Sequence, residues 1–580
     1  MLGMHWADWL VIIIYLVAIV VIGTWAMRRV KSASSFFISD RKFGKVMMMF
    51  FTFGTGTHSD QAVGVAAKTH SAGASGIWYQ WLWLFVTPFF WLIAPIFRRM
   101  RAVTTADFFQ ARFGRSVCVL FALFGMIQMS VNIGNILRGS SAMVTAVTGG
   151  ALDPEIVIMA MTVIFVAYGV AGGLTAAIVT DFIQGLLTIV LSFLILPFAL
   201  HAVGGMAGLR EQVADPAMFQ VFAEGQTSAS GEQITLFYVL VISFNALVGW
   251  VAQPHNFGMA AAGRTEMEGR VGVMCGILFK RVCTIAWVLT GLCAVALYAG
   301  QEVDIDHVYG LMAHDILPAV GPGLVGLFIA SMLAAVMSSC DAFMVASAGL
   351  FTENIYRPLI APGREDRHYL RIGRIASAVV VLFGIIYSFW LENIVQGLEI
   401  FWKIAAMMGV AFWAGLFWRR ATSAGAWAAT LGSFGAWMFT GKISLFGHEL
   451  WNFDARLAHR LPEFMLRSDG GLALHWQMII YLVVGLIACV VVSLLTRRQP
   501  AEQLDPLYEC LRTPIGPDEP ETEPFQLPPG TQPAPRSVLI QHPDFEIPRP
   551  SFVGVIGFLA GWLAVAALLG VFYWILGLGA

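Results

Sequence analysis

The sequence predicts an all-α polytopic membrane protein of about fourteen transmembrane helices, built as a five-plus-five inverted repeat whose helices one and six are broken. Three observations carry this reading. Of the 580 residues 58% are hydrophobic and 12% charged, with a mean hydropathy of +0.73, whereas soluble domains run about 25% charged. Apolar runs of about 20 residues, enough to cross a bilayer, recur along the chain. Two of those runs are interrupted near their middle by glycine, proline and polar residues.

Numbered from zero, the runs lie near 8–27, 46–67, 76–97, 116–147, 154–172, 174–200, 234–260, 271–299, 322–350, 370–391, 395–418, 423–440, 475–495 and 552–578. The first, WLVIIIYLVAIVVIG, is followed by RRVK without a small-residue cleavage motif, so it reads as a span or uncleaved anchor. Basic residues then orient the chain. Arg28, Arg29 and Lys31 follow span zero, Arg98, Arg99 and Arg101 span two, and Arg264 and Arg270 span six. Arg357, Arg364, Arg367, Arg371 and Arg374 follow span eight, Arg419 and Arg420 span ten, and Arg497 and Arg498 span twelve. The alternation places these loops in the cytoplasm and both termini outside it, as in an inner (cytoplasmic) membrane.

Residues 1–500 form the transmembrane core, with repeats at about 46–200 and 234–418, and 441–474 is an external loop. Residues 499–551 are rich in Pro and Glu, and are expected as an extended cytoplasmic linker with no packed core, tethering the helix within 552–580. A docking segment with a regulatory role is the other reading of that stretch. The net charge of −1 argues against nucleic acid. No GxSxG, Walker loop, HExxH or GxGxxG after a strand occurs, so no enzyme is expected. The seven cysteines, Cys118, Cys275, Cys283, Cys293, Cys340, Cys489 and Cys510, form no CxxC pair and read as small buried hydrophobes.

The interruptions carry the functional argument. Span one contains GTGTHSDQ at 54–61. Gly54 and Gly56 weaken the helix there, and Thr55, Thr57 and Ser59 compete for freed backbone groups. Irregular backbone at membrane depth is tolerated where it lines a cavity or is buried in protein. Span six contains GWVAQPH, in which Gly249 and Pro254 bracket Trp250 and Gln253. Broken segments in corresponding places of two halves point to an inverted-repeat transporter with its site at the midplane. An intact helix with a polar face against its neighbours is the alternative for span one.

Two carboxylates lie inside spans. Asp181 sits in GGLTAAIVTDFIQG, and Asp341 in AAVMSSCDAF, where Ser338 and Asp341 share a helix face. Such a residue costs about 2.5–3.5 kcal/mol on insertion scales, so it is a functional candidate by default. Helix packing through hydrogen-bonded carboxylates is the plainer reading. At these residues the chain resembles the sodium:solute symporter family over roughly residues 7–500. The likeness rests on GGLTAAIVTDFIQG, AAVMSSCDAF and the order of segments from ADWLVIIIYLVAIVVIG through VTTADFFQARFG.

The resemblance implies a LeuT-like fold and a sodium site between spans one and eight. Its ligands would be the carbonyls of Gly54, Thr57 and Ala335 and the hydroxyls of Ser338 and Ser339, hard oxygen donors suited to such an ion. It further implies, as in some members, a second cation site at Asp181, where a hydroxyl position of those members is Asp341 here. Gly56 departs from the Asp or Asn many members carry, and NFGMAAAGRTEMEGR departs from the family's stretch after span six.

For a solute held at the repeat interface, the candidate wall comprises Gln61, Gln80, Arg138, Trp250, Gln253, Lys280, Trp402 and Lys403. Sugar-transporting relatives carry an acidic residue where Gln80 falls and a glutamine near Trp402; Lys280 matches a lysine of theirs. Arg138 and Lys403 inside spans suggest a carboxylate on the solute, because Arg binds carboxylate bidentately; snorkelling or internal neutralisation is the plainer account. The expectation is a sodium-coupled symporter importing a small organic solute across the lipid bilayer, with a carboxylate-bearing solute ranked ahead of a sugar. A sodium/sugar symporter, and a sensor or exchanger on the same fold without sodium coupling, are the alternatives.

Overall fold

The apolar runs fold as helices in the computed structural model, which describes residues 4–27, 37, 41–213, 215–222, 233–391, 393–445, 448–516, 519–520 and 522–579. Arg28, Arg29 and Lys31 lie outside the described residues. The helices are α1 (Trp6–Met27), α2 (Lys45–Gly56), α3 (Ser59–Ala72), α4 (Thr87–Arg99), α5 (Thr105–Phe113), α6 (Arg115–Val147), α7 (Pro154–Phe193), α8 (Leu236–Trp250) and α9 (Pro254–Ala261). They continue with α10 (Glu266–Leu297), α11 (Val308–Val320), α12 (Leu324–Phe351), α13 (Asp366–Trp390), α14 (Ile394–Phe417), α15 (Ser423–Phe439), α16 (Leu474–Leu495), α17 (Ala501–Arg512) and α18 (Phe552–Gly577). Between α15 and α16, β1 (Lys442–Leu445) and β2 (His448–Asn452) form an antiparallel hairpin in the expected external loop.

Among the described residues nine helical stretches are long and apolar enough to cross a membrane, and α8 with α9 makes a tenth, bent by 73°. The other expected spans fall on α2 with α3, on Trp78–Trp81 with α4, on the first part of α7 and on the 17-residue α15. Side-chain caps set many of the starts: Asp153 accepts from Glu155 N at α7, Asn393 from Gln396 N at α14, and Ser551 from Gly554 N at α18. Thr104 with Asp107, and Thr265 with Glu268, form capping boxes that start α5 and α10.

The two expected spans at 154–172 and 174–200 share one helical run, the 40-residue α7. A Cβ on Gly169 would lie 2.1 Å from Asp341 Oδ1, while Asp181 Cβ lies 3.6 Å from where a Cβ on Gly54 would sit, itself 2.6 Å from Ser338 Oγ. Ser338 and Asp341 are one turn apart on α12, so Gly169 and Asp181 of α7 both border the same polar stretch. The two expected spans are joined without a helix-free loop.

The linker departs from its expected character. Its described residues are not an extended tether without packing: α17 buries Leu504, Leu507, Tyr508 and Cys510 against the arginine-rich face. Glu519 receives both prongs of Arg101 at 2.6 and 2.9 Å, and Arg419 binds Asp505 and Glu546, each at 2.6 Å. The composition counted apolar residues and missed this, because the segment's order comes from charges matched to the loops above it.

Arg112 on α5 anchors that face. It is fully buried and donates to the carbonyls of Gly415, Trp418, Arg419 and Ala421, to Tyr508 OH and to Gln499 Oε1. It thereby satisfies carbonyls at the end of α14 that the helix leaves open. Arg112→Ala is expected to cost on the order of 3 kcal/mol in thermal unfolding of the detergent-solubilised protein. Arg112→Lys should recover only part of that, since lysine lacks the five-donor fork.

Candidate functional site

The break in span one is real and falls at Thr57–His58, where α2 ends at Gly56 and α3 begins at Ser59. Thr57 and His58 have extended backbone (φ −124°, ψ 96° and φ −113°, ψ 161°). The break in span six occupies 251–253, with Pro254 opening α9 where its missing N–H costs nothing. Thr55, Thr57, Ser59, Asp60, Asp181, Ser338, Ser339 and Asp341 are each 1% exposed or less, so this polar seam is sealed inside the protein.

The structure brings together the residues expected around an ion. Ser339 Oγ donates to the Gly54 carbonyl at 3.3 Å, and Thr57 N to the same oxygen at 3.2 Å. Ser338 Oγ lies against the Gly54 Cα, and Ala335 is buried one turn earlier on α12. Thr55 Oγ1 donates to Asp181 Oδ2 at 3.4 Å. Gly54 is required there: an alanine methyl would sit 2.6 Å from Ser338 Oγ. The donor set is carbonyls and hydroxyls with a carboxylate beside them, chemistry that fits a hard monovalent cation.

Above the break the polar groups are tied into a chain. Asp60 Oδ1 accepts from His58 Nδ1 at 2.6 Å, and His58 Nε2 lies 2.9 Å from Gln61 Nε2. Ser59 Oγ and Ser140 Oγ are 2.5 Å apart, and Gly139 of α6 packs directly on Asp60. Lys280 of α10 donates to the Gly56 carbonyl at 2.5 Å and lies 5.9 Å from the Trp83 ring. Its ammonium therefore sits at the carbonyl end of α2, where the helix dipole is negative. His58 and His255 both meet Phe343 edge-on, at 5.7 and 4.6 Å.

The other expected wall residues are spread around this centre. Trp402 stands 5.6 Å from Tyr79 and 6.0 Å from Trp83. Lys403, next along α14, is half-buried. Gln80 is fully buried, and its carbonyl accepts from Arg281 at 2.6 Å. Gln253 Oε1 accepts from Asn256 Nδ2 at 3.1 Å. Trp250 packs on Phe90 and Phe97, 4.4 and 5.8 Å away, on the far side of the span-six break. Arg138 acts on Asp306 in the turn Ile305–His307, whose carboxyl burial holds above the usual range while Ile394 N and Arg138 partly offset it.

Sequence reasoning assigned no role to His58, Asp60, Ser140, His255 or Phe343. His58 and Asp60 were visible as polar residues at the break, but their pairing depends on backbone angles no spacing reveals. Phe343 gave no signal.

One side of the site is shut. Gly64 of α3 packs on Leu398, Asn135 Nδ2 donates to the Gly397 carbonyl at 2.9 Å, Ile394 N to Asp306 at 3.2 Å and Tyr79 OH to Glu399 at 3.2 Å. Toward the arginine-rich face a small cavity of about 30 Å³ is lined by Phe51, Val103, Thr104, His255, Gly258 and Ala346, among others. The shut face and the cavity lie on opposite sides of the two breaks.

This architecture recurs in known proteins. The profile of the Sodium:solute symporter family matches residues 36–432. The chain belongs to that family. It is 23% identical over 466 residues to a sodium/glucose cotransporter of Vibrio parahaemolyticus, covering 73% of this chain and 83% of that one. It is 24% identical over 507 residues to an osmoregulated proline transporter of Bacillus subtilis (strain 168), covering 84% and 94%. In fold it is similar to a Na+-coupled sialic acid symporter solved in a substrate-bound outward-open state, with a TM-score of 0.68 at 18% identity over 85% of this chain and 98% of that one. This symporter-family chain is thus a multi-pass transporter and not an enzyme.

In this family member Gly54 is the sharpest point to probe. Gly54→Ala is expected to raise the half-saturating sodium concentration by about tenfold, because the methyl must displace Ser338. Gly56→Ala, whose methyl would meet only Ile277 at 3.4 Å, should change it little. Sodium titration of binding or uptake by the two purified variants checks this.

Proposed function

We propose that the protein is a sodium-coupled symporter importing a small organic solute across the cytoplasmic membrane by alternating access, with both termini outside the cytoplasm. The observation that carries this is the convergence of Ser339 Oγ on the Gly54 carbonyl, with Ser338 Oγ packed against the same glycine, at a break in the chain. Gly54, Thr57, Ala335, Ser338 and Ser339 would hold the ion. Because Gln61 lies in the first turn of the helix that leaves the same break, ion and solute share one piece of backbone, so each can stabilise the arrangement the other needs.

Asp181, Ser338 and Asp341 form a second cation site or exit path in this reading. Gly169 lets α7 approach the Asp341 carboxylate, and Thr55 holds Asp181 from the other side. Two carboxylates near one another are eased by a cation between them.

The solute we infer is carboxylate-bearing. Arg138 supports this, standing one residue from where α6 meets Asp60, as does Lys403 beside Trp402. Gln61, Gln80, Trp250, Gln253 and Lys280 complete the proposed wall. A neutral sugar is the second reading, favoured by the cotransporter of Vibrio parahaemolyticus and by Lys280.

Uptake into proteoliposomes, with and without an inward sodium gradient, tests both levels. A panel of monocarboxylates, amino acids, acidic sugars and neutral sugars should show sodium-stimulated uptake of one class, abolished by Ser338→Ala/Ser339→Ala. Binding without sodium-driven accumulation would instead mark an exchanger or sensor. If Arg138→Ala loses a neutral sugar and no carboxylate, the sugar reading takes precedence. For the second site, Asp341→Ala should lower the sodium Hill coefficient or shift the pH profile of uptake; leaving both unchanged would remove Asp341 from it.

A further inference from the structure

The five-residue turn between α4 and α5, Met100–Thr104, has two sides. Val103 and Thr104 line the cavity that reaches His255. The other side is held by the segment after α17. Phe525 N donates to the Met100 carbonyl at 3.0 Å, and Arg101 is clamped by Glu519 at 2.6 and 2.9 Å. The pair is almost dry, with side chains 1% and 9% exposed. Arg101 also donates to the Arg99 carbonyl at 3.0 Å and to Cys510 Sγ at 3.2 Å.

The backbone at this contact is strained on both partners. Arg101 has φ 53° and Phe525 φ 59°, and among the described residues the only other non-glycine with positive φ is Arg41. Side chains resist this left-handed region, so a bulky residue stays there only where its surroundings impose it. Beyond Arg101 the turn is pinned again. Val103 N and Thr104 N both donate to Asp107 Oδ2 at 2.9 Å, and Thr104 Oγ1 to Asn354 Oδ1 at 2.7 Å. A turn pinned at its far end and left-handed in its middle keeps its shape while the middle is held.

The same segment also ties other elements of this face together. Ile515 N donates to Glu266 Oε1 at 3.0 Å while Glu266 pairs with Arg99 at 2.7 Å, joining α10 to α4. Glu546 N donates to the Phe417 carbonyl at 2.9 Å, at the end of α14. Transport by rocking one group of helices against another changes the spacing of such elements. A strap across them therefore favours one arrangement.

We propose that the described residues of the segment after α16 (501–516, 519–520 and 522–550) form a cytoplasmic strap that props the mouth of the inner cavity, with Glu519 as a positioning residue that holds Arg101 in its left-handed conformation and so keeps Val103 and Thr104 where they line the path. The proposal rests on the alternating-access reading for its importance, but its test uses neither sodium nor solute. A cysteine introduced by Ala346→Cys, in the cavity wall, is labelled with a membrane-impermeant maleimide in inside-out vesicles. Labelling of the chain without that substitution is subtracted.

Glu519→Gln is expected to slow the labelling of this cysteine by about tenfold, the loss of a charge-assisted clamp letting the turn relax across the path. Arg101→Gly with Glu519→Gln should restore the original rate, because glycine accepts φ 53° without a clamp. That rescue separates the proposal from a general stabilising role for the ion pair, which a second lost partner would only worsen. An unchanged rate in Glu519→Gln overturns the proposal. So does a faster one, which would make the strap a cover, and so does a double variant as slow as the single. If Glu519→Gln fails to reach the membrane, Arg101→Gly alone decides: the original rate supports the prop and a slowed rate overturns it.

Discussion

A helix that stops inside a bilayer leaves backbone groups that no water can satisfy, and the whole architecture answers that constraint. The two breaks solve it differently. At the span-six break the repair is internal: Asn256 Nδ2 reaches back to the Trp250 carbonyl at 2.8 Å and to Gln253, and Pro254 has no N–H to satisfy. At the span-one break other helices join in, Lys280 of α10 on the Gly56 carbonyl and Ser339 of α12 sharing the Gly54 carbonyl with Thr57 N. Backbone satisfied by other helices is backbone whose partners can be exchanged. That difference suits the first break to the ion of the proposed symport and makes the second a more self-contained bend.

Close packing around the seam then dictates where side chains must be absent. A Cβ on Gly54, Gly139 or Gly169 would strike Ser338, Asp60 or Asp341, at 2.6, 2.7 and 2.1 Å. These glycines do not serve a turn; their φ angles are not in the left-handed region. They are the places where one helix lays its backbone against a polar side chain of another. The seam is thus built by small residues on α2, α6 and α7 facing hydroxyls and carboxylates on α3 and α12.

Much of this was legible in the sequence, for physical reasons. Hydrocarbon thickness fixes span length, so the runs fell close to the helices, and Gly and Pro marked both breaks because they are poor helix residues. The pairing of Ser338 and Ser339 with Gly54 could be drawn from resemblance. The His58–Asp60–Gln61 chain could not, since it needs the extended backbone at Thr57 and His58. The helical continuity of α7 across the two expected spans at 154–172 and 174–200 was not foreseen, because the glycines near 172 are poor helix residues. The docked order of 501–550 was missed for a different reason: proline and glutamate content describes a chain in isolation, and here the glutamates have arginine partners tens to hundreds of residues away.

The two faces of the protein are consequently held by different chemistry. On the shut face the contacts join α3, the turn Ile305–His307, α6 and the start of α14 by packing at Gly64 and a few neutral or singly charged hydrogen bonds. The arginine-rich face is tied together by Arg99, Arg101, Arg112 and Arg419 against carboxylates and carbonyls. A buried charge cannot be left half-paired without a large penalty, whereas apolar surfaces can slide by small steps. The arginine-rich face should therefore move between a few discrete arrangements set by which pairs are made, and the shut face more gradually. If helices rock about the two breaks, the discreteness of the cycle is set where the arginines are, which is also where the chain has laid its strap.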